Sequence, residues 1–526
     1  MKALTIVIFL AILGVTLLIT YWAARRTHTT SEFYAAGGTL TARANGFALA
    51  GDWMSAAAFL GFSGLISLYG MDGSLYAVAA LAAFLVVLMV VAEPVRNTGR
   101  FTFGDVIAER MKRPSARLAA VIGTIVVNIA YMVPQMAGAG ALIKLMLGVP
   151  YDVAVILVGI GMIVYVLFGG MIATTWVQIV KAVLLLAAAT VLVFMLLAAV
   201  HFQPLELFNS VQRLYGPKML APGGYFKHPL DTASLFISFV FGVAGLPHIM
   251  TRFYTVPDAK TARNSVLWLM FLAGSFFMVT TLIGFAAATF VGQDAIRQVD
   301  KGGNLALPLL AQYLGGGAGS IGGQVFLATI CAIAFAAILA VVAGLTLASS
   351  GAIAHDLYVN VLRKGKVTEV EQVRIARIAT LLVGVVAVAF GLLAQGINVG
   401  VLVILAISVA ASANFPILLL SIFWRKFNTA GVVGGMTAGL ISSVVLAFIG
   451  PAFMKEHAIF PIVNPAILSM PIGFLGAWLG TLIGRRSPSH DEDFDAFFTK
   501  AQTGFDPAQI ELHAALSAQT AAHERL

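Results

Sequence analysis

The sequence predicts an all-α membrane protein of about thirteen transmembrane helices, and three observations carry that expectation. Of the 526 residues, 60% are hydrophobic and only 10% are charged, whereas a soluble domain carries roughly a quarter charged residues. No soluble core needs that much apolar surface, so the excess must face lipid. Apolar stretches of bilayer length, about 20 residues each, recur along the chain. Basic residues, finally, collect in every second loop between those stretches.

In order, the stretches are 3–22, 44–70, 74–95, 117–147, 151–169, 178–200, 231–254, 264–291, 322–351, 375–394, 398–422, 430–450 and 463–484. The first is too long for a signal-peptide core, is followed by Arg25 and Arg26 and shows no A-x-A site, so it reads as a retained span. With the N-terminus outside, the inner loops hold Arg25, Arg26, Arg96, Arg100, Arg110, Lys112, Arg252, Arg363, Arg425 and Arg485 among others. The outer loops hold mainly scattered cations such as Lys144, Lys218, Arg297, Lys301 and Lys455. That asymmetry sets the C-terminus in the cytoplasm of a bacterial inner (plasma) membrane. It also argues against nucleic acid as a partner, since the net charge of +9 is spread over short loops rather than one face. The single cysteine, Cys331, lies in an apolar run and has no ligand spacing.

The expected organisation is a first helix and inner loop (1–43), a five-helix unit (44–200), an outer loop (201–230), a second five-helix unit (231–422), two further helices (423–486) and a polar cytoplasmic tail (487–526). The outer stretches 201–230 and 292–321 mix Gly, Pro and charge, as short lid helices would. An amphipathic helix near 507–524, or a poorly ordered end, would account for the tail.

Spans two and seven should not be straight. Span two holds Asn45-Gly46, Gly51-Asp52-Trp53-Met54-Ser55, Gly61 and Gly64, and span seven holds Gly242 and Gly245-Leu246-Pro247-His248. Glycine and proline weaken a helix, and the freed backbone groups are tolerated in a membrane only where protein, water or an ion satisfies them. Each of these spans opens one of the two five-helix units. Because five is odd, the units would be inverted relative to each other, with the paired breaks forming a midplane site.

Asp52 sits at the first break. An unpaired carboxylate in a span costs at least ~2.5 kcal/mol, and a bound cation or protonation would remove that cost. Asp52 is therefore a candidate for the coupling ion, and a fixed partner or a helix-capping role is the plainer alternative. His248 could relay a proton or contact an anion, or simply bond a helix carbonyl. Arg252, at the inner end of span seven, is a candidate gate residue or an orienting charge. Gln135, after Pro134 in span four, could donate to a carboxylate or join two helices. Ala56, Ala57, Ala58 and Gly245 leave a compact, apolar pocket, and half-helix N-termini beside it present a positive dipole end. Ala58, Gln135, Gly245 and His248 are accordingly the candidate substrate residues for a short monocarboxylate.

Four segments resemble the sodium:solute symporters, and among them the bacterial cation/acetate symporters: NGFALAGDWMSAAAFLG (Asn45–Gly61), YVLFGGMIATTWVQ (Tyr165–Gln178), AGLPHIMTRFYTV (Ala244–Val256) and ILAVVAGLTLASSGAIAHDLY (Ile338–Tyr358). The resemblance implies a LeuT-type core of two inverted five-helix repeats, with sodium held between span two and span nine by the carbonyls of Gly51 and Met54 beside Asp52. Sugar and proline members place two hydroxyl residues on span nine, where this chain has Ala340 and Val341. Neither supplies the oxygen a hard cation prefers, so Asp52, Ser55 and Thr346 would have to compensate, or a proton on Asp52 would replace sodium.

The expected function is cation-coupled symport of acetate or a related acid such as propionate, pyruvate or glycolate, with no cofactor beyond the coupling ion. A sensor on a transporter scaffold would want a signalling domain, and a channel would show a filter or charge ring. No nucleophile–base pair or phosphate loop points to an enzyme. Oligomeric state is not legible.

Overall fold

A computed structural model describes residues 30–55, 57–167, 170–485 and 490–505, with scattered positions between 6 and 22. The described residues form helices joined by short loops, and no strand occurs among them. Among the described residues, nine helices are long and apolar enough to cross a bilayer, and two bent pairs raise the number to 11. The expected thirteen therefore divide differently. Tyr151–Leu167 is a shorter helix, and most of stretch 3–22, together with Arg25, Arg26 and the tail beyond 505, lies outside the described residues.

Local chemistry sets the helix ends. Thr41, Asp258, Ser320, Thr368, Asn398 and Asn428 each cap a helix start by accepting a backbone N–H. Thr102 and Asp105 form a reciprocal capping box on Phe103–Met111. The stretches 201–230 and 292–321 contain the short helices Pro204–Tyr215, Gln293–Val299 and Ala306–Leu314, as their composition suggested.

Burial orders the bundle. The apolar window of Val399–Phe423 is wholly buried and that of Ile321–Leu362 is 83% buried, so these two helices form its centre. Met171–Ala199 and Ala466–Ile483 are each only 28% buried over theirs, which leaves most of their surface for lipid. Ile321–Leu362 outruns the expected 322–351 because the helix continues through a π-helical segment, Ala352–Leu362, instead of ending. Thr429–Phe448 packs on Ala466–Ile483 through small residues: a Cβ on Gly434 would stand 2.6 Å from the Gly476 carbonyl oxygen.

Both expected breaks are present. Ala42–Trp53 is followed by the irregular Met54 and Ser55, then by π-helical Ala57–Phe62 and Ser63–Tyr69, with a bend of 54°. Pro229–Gly242 passes through Val243–Gly245 to an extended Leu246, then restarts as Pro247–Met250 and Thr251–Thr255, with a bend of 47°.

Candidate functional site

At the first break the Ser55 N–H donates to the Trp53 carbonyl at 2.7 Å, which withdraws the donor a continued α-helix would give the Gly51 carbonyl. No described donor replaces it. The second break is treated differently. Asn414, at the kink of Val399–Phe423, donates its side-chain amide to the Gly245 carbonyl at 2.9 Å. The carbonyl freed at the second break is thus closed by protein, while none of the described residues closes the one at the first.

Asp52 lies in the last turn before the first break and is 2% exposed. Its carboxylate is not unpaired. One oxygen accepts the Arg252 Nε–H at 2.5 Å and the other accepts the Gln178 side-chain amide at 2.5 Å. Sequence reasoning put Arg252 at the inner end of span seven, but the restarted half-helix carries it into the core, where it is 1% exposed. A buried carboxylate without a counter-charge is costly, and the bend of span seven is what brings Arg252 to it. The guanidinium also donates to Thr175 Oγ1 at 2.8 Å. Gly51 makes the approach of Met171–Ala199 possible: a Cβ there would stand 2.2 Å from the Gln178 carbonyl oxygen.

Lys181 completes the cluster. It is 3% exposed, and its ammonium donates to Gln178 Oε1 at 3.1 Å. Gln178 therefore links Lys181 to Asp52 through its two ends. Two basic side chains, Arg252 and Lys181, face one acidic side chain in a buried setting.

The remaining predicted residues are buried on the two broken spans, span nine and span four. Span nine approaches at Gly344, where a Cβ would lie 3.4 Å from Asp52 Oδ1, and Thr346 is buried two residues on. Ser55, Met54 and Ala58 are buried at and just after the first break. His248 precedes Arg252 by one helical turn and packs on Tyr131 with ring centroids 5.1 Å apart. Gln135 is one turn along the same helix from Tyr131. Both ring nitrogens of His248, both side-chain polar atoms of Gln135 and one terminal nitrogen of Arg252 are buried without a partner among the described residues.

Lys181, Gln178 and Thr175 were not singled out from the sequence, although a lysine inside an apolar span is itself a signal. A second cluster, at the far end of span nine, was also missed. Arg117 bridges Asp105 at 3.1 Å and Asp356 at 2.7 Å, and His355 lies 3.3 Å from Asp105. The three ligand-type side chains are close enough to hold a metal ion, but the guanidinium already sits on both carboxylates. Burial works against the Asp105 charge, yet His355 and Arg117 hold its carboxyl down to about 2.

The family model described as "Sodium:solute symporter family" matches residues 33–439. The chain belongs to the sodium:solute symporter family. It is a multi-spanning, cation-coupled secondary transporter, not an enzyme. It is 48% identical over 514 residues to the uncharacterized symporter YwcA of Bacillus subtilis (strain 168), covering 96% of this chain and 99% of that protein. Among solved structures it is similar to a Na+-coupled sialic acid symporter in a substrate-bound, outward-open state. That match has a TM-score of 0.71 at 16% identity and covers 91% of this chain and 96% of the other. At that identity the likeness concerns the fold alone.

Proposed function

We propose that this symporter carries a short-chain monocarboxylate, acetate or a close relative, into the cell, and that the anion binds beside the two helix breaks. The observation that supports this most is the make-up of the buried cluster: two basic side chains, Arg252 and Lys181, beside one carboxylate, Asp52, with an unpartnered terminal nitrogen on Arg252. A site with more basic than acidic side chains, held away from water, favours an anionic ligand. The unpartnered polar atoms of Gln135 and His248 offer further hydrogen bonds, and leaving them unused costs roughly 1–3 kcal/mol per group. Ala58 and Gly245 add only small surfaces, which suits an acid with a methyl or ethyl end. The strings AGDWMSAA and AGLPHIMTRF, which lie in segments that resemble the acetate symporters, contribute Asp52, Gly245, His248 and Arg252 to this site.

The coupling cation, in this reading, acts at the first break. The carbonyls of Gly51 and Met54, with Ser55 and Thr346, supply its oxygens, together with Asp52 once Arg252 or Gln178 releases one of its oxygens. An ion beside Asp52 meets the charge of Arg252, and at an effective dielectric near 20 two unit charges 4 Å apart repel by about 4 kcal/mol. Ion binding and separation of the Asp52–Arg252 pair are therefore coupled, which is how an ion can drive a conformational change. Residues 44–200 and 231–422 form two inverted five-helix units, as the matched bends of spans two and seven suggest, and the first helices of the two units rock against the remaining bundle. The N-terminus lies outside and the C-terminus in the cytoplasm, where the basic loops gather.

Counterflow of radiolabelled acetate in proteoliposomes tests the substrate class. Exchange that is competed by propionate, pyruvate or glycolate, and not by sugars or amino acids, is the expected result. Exchange of a neutral solute with no exchange of acetate would sink the reading.

A further inference from the structure

A cavity of about 400 Å³ opens between the end of Pro114–Leu147, the loop after Gln293–Val299, the turn before Val399 and the loop carrying Lys455. Four cationic side chains line it: Lys144, Arg297, Lys301 and Lys455. All four are exposed, and no described salt bridge engages any of them. The one carboxylate in the lining, Asp300, is committed to the floor, where it accepts the Asn304 backbone N–H at 2.7 Å. Burial raises the Asp300 carboxyl above its usual range, against the pull of Asn304, Gly302 and Lys144. The basin therefore carries a marked positive excess, while its concave wall concentrates the field of those charges.

The basin borders elements of the candidate site. Its wall includes Ala137, two residues from the buried Gln135 on the same helix. Its floor is a hydrogen-bonded plug. Asn304 donates to the Ile397 carbonyl at 3.1 Å and accepts the Val399 N–H at 2.8 Å. Asn398 donates to Gly302 at 2.7 Å and to the carbonyl of Gly61, in the second half of span two, at 3.1 Å. The loop below the basin is thus tied directly to a broken helix of the transport site.

We propose that this basin is a second, external binding site for the transported carboxylate, separated from the buried site by the Asn304–Asn398 plug. The inference rests on the anionic substrate proposed above. The anion is held loosely at the basic rim and enters when the plug parts from Gly61. Because the rim is solvated, its attraction is screened by salt over about 10 Å at 0.1 M ionic strength.

The test is initial-rate uptake of radiolabelled acetate into whole cells at low and high ionic strength. It compares the wild type with the quadruple variant Lys144→Gln, Arg297→Gln, Lys301→Gln, Lys455→Gln. At low salt the variant's KM should rise about tenfold, the lower end of the effect of focused charge on association, with maximal rate held near wild type. High salt should bring the two KM values together. The charge-conserving variant Lys144→Arg, Lys301→Arg, Lys455→Arg should keep the wild-type KM, which separates charge from side-chain shape. A wild type that transports acetate with a salt-independent KM, or a quadruple variant with unchanged KM, overturns the basin while leaving the anionic substrate standing. A wild type that moves no carboxylate overturns both.

Discussion

Replacing Arg252 by methionine strands the Asp52 carboxylate in a site where it is 2% exposed. The lost contact is a charge-assisted hydrogen bond of 2.5 Å between two buried side chains. Removing one partner of such a pair costs about 3–5 kcal/mol, because the survivor is left charged and dry. Asp52→Asn should cost less, since Arg252 retains Thr175 and the asparagine still meets Gln178. Combining Asp52→Asn with Arg252→Met removes both charges, and the double variant should recover at least about 2 kcal/mol of the loss summed over the single variants. Thermal unfolding of the four purified proteins in detergent, run as a double-mutant cycle, reads this directly. Uptake measured on the same proteins should be lost in all three variants, including the restabilised one. Additive losses in the cycle would show that the two side chains do not interact, and would refute the account of how span seven holds span two.

Gln135→Leu removes two unpartnered buried polar atoms, so thermal stability should hold or rise by about 1–3 kcal/mol while the KM for acetate increases; a stability loss with unchanged KM would contradict a substrate role. Gly51→Ala should abolish transport and lower the melting temperature, since its Cβ would stand 2.2 Å from the Gln178 carbonyl oxygen, and wild-type uptake would contradict that close approach. Asp105 has a depressed carboxyl value, so its stabilising contribution is full above the unfolded value of 3.8 and is lost as pH falls through about 2; Asp105→Asn should flatten that acid limb of the melting curve, and an unaltered limb would argue against the cluster. The helix His490–Thr503 carries Lys112–Asp493, Lys500–Glu109 and Arg425–Asp495 pairs; because these are partly or fully exposed, raising salt should increase proteolysis of this helix, and salt-independent cleavage would contradict electrostatic docking.

Much of the fold was legible because a bilayer imposes length and polarity rules that show in single stretches of sequence. Beyond 3–22, which lies mostly outside the described residues, the long apolar runs became helical, and the two Gly- and Pro-rich runs bent at residues within a turn of those expected. The breaks could be read because Gly245-Leu246-Pro247 and the glycines around Asp52 act through local backbone chemistry. The partner of Asp52 could not be read that way. Arg252 lies 200 positions further on, and it enters the core only because the restarted half-helix changes direction after Leu246. The same holds for Arg117 and Asp356, which are brought together across 239 positions. Lys181 was visible as a lone cation in an apolar run, yet its meaning depends on Gln178, one turn before it, pointing back to Asp52. The hydroxyls absent at Ala340 and Val341 were also visible in the sequence. The structure adds that both positions are fully buried, so span nine offers the first break no side-chain oxygen there.

Concentrative uptake of radiolabelled acetate by proteoliposomes, with sodium and proton gradients imposed separately on wild type and Asp52→Asn, reaches the central claim most directly. Wild type should accumulate acetate under one of the two gradients, and the folded, inserted variant should lose that dependence. Gradient-driven accumulation by Asp52→Asn at the wild-type level would remove the buried cluster from the coupling mechanism.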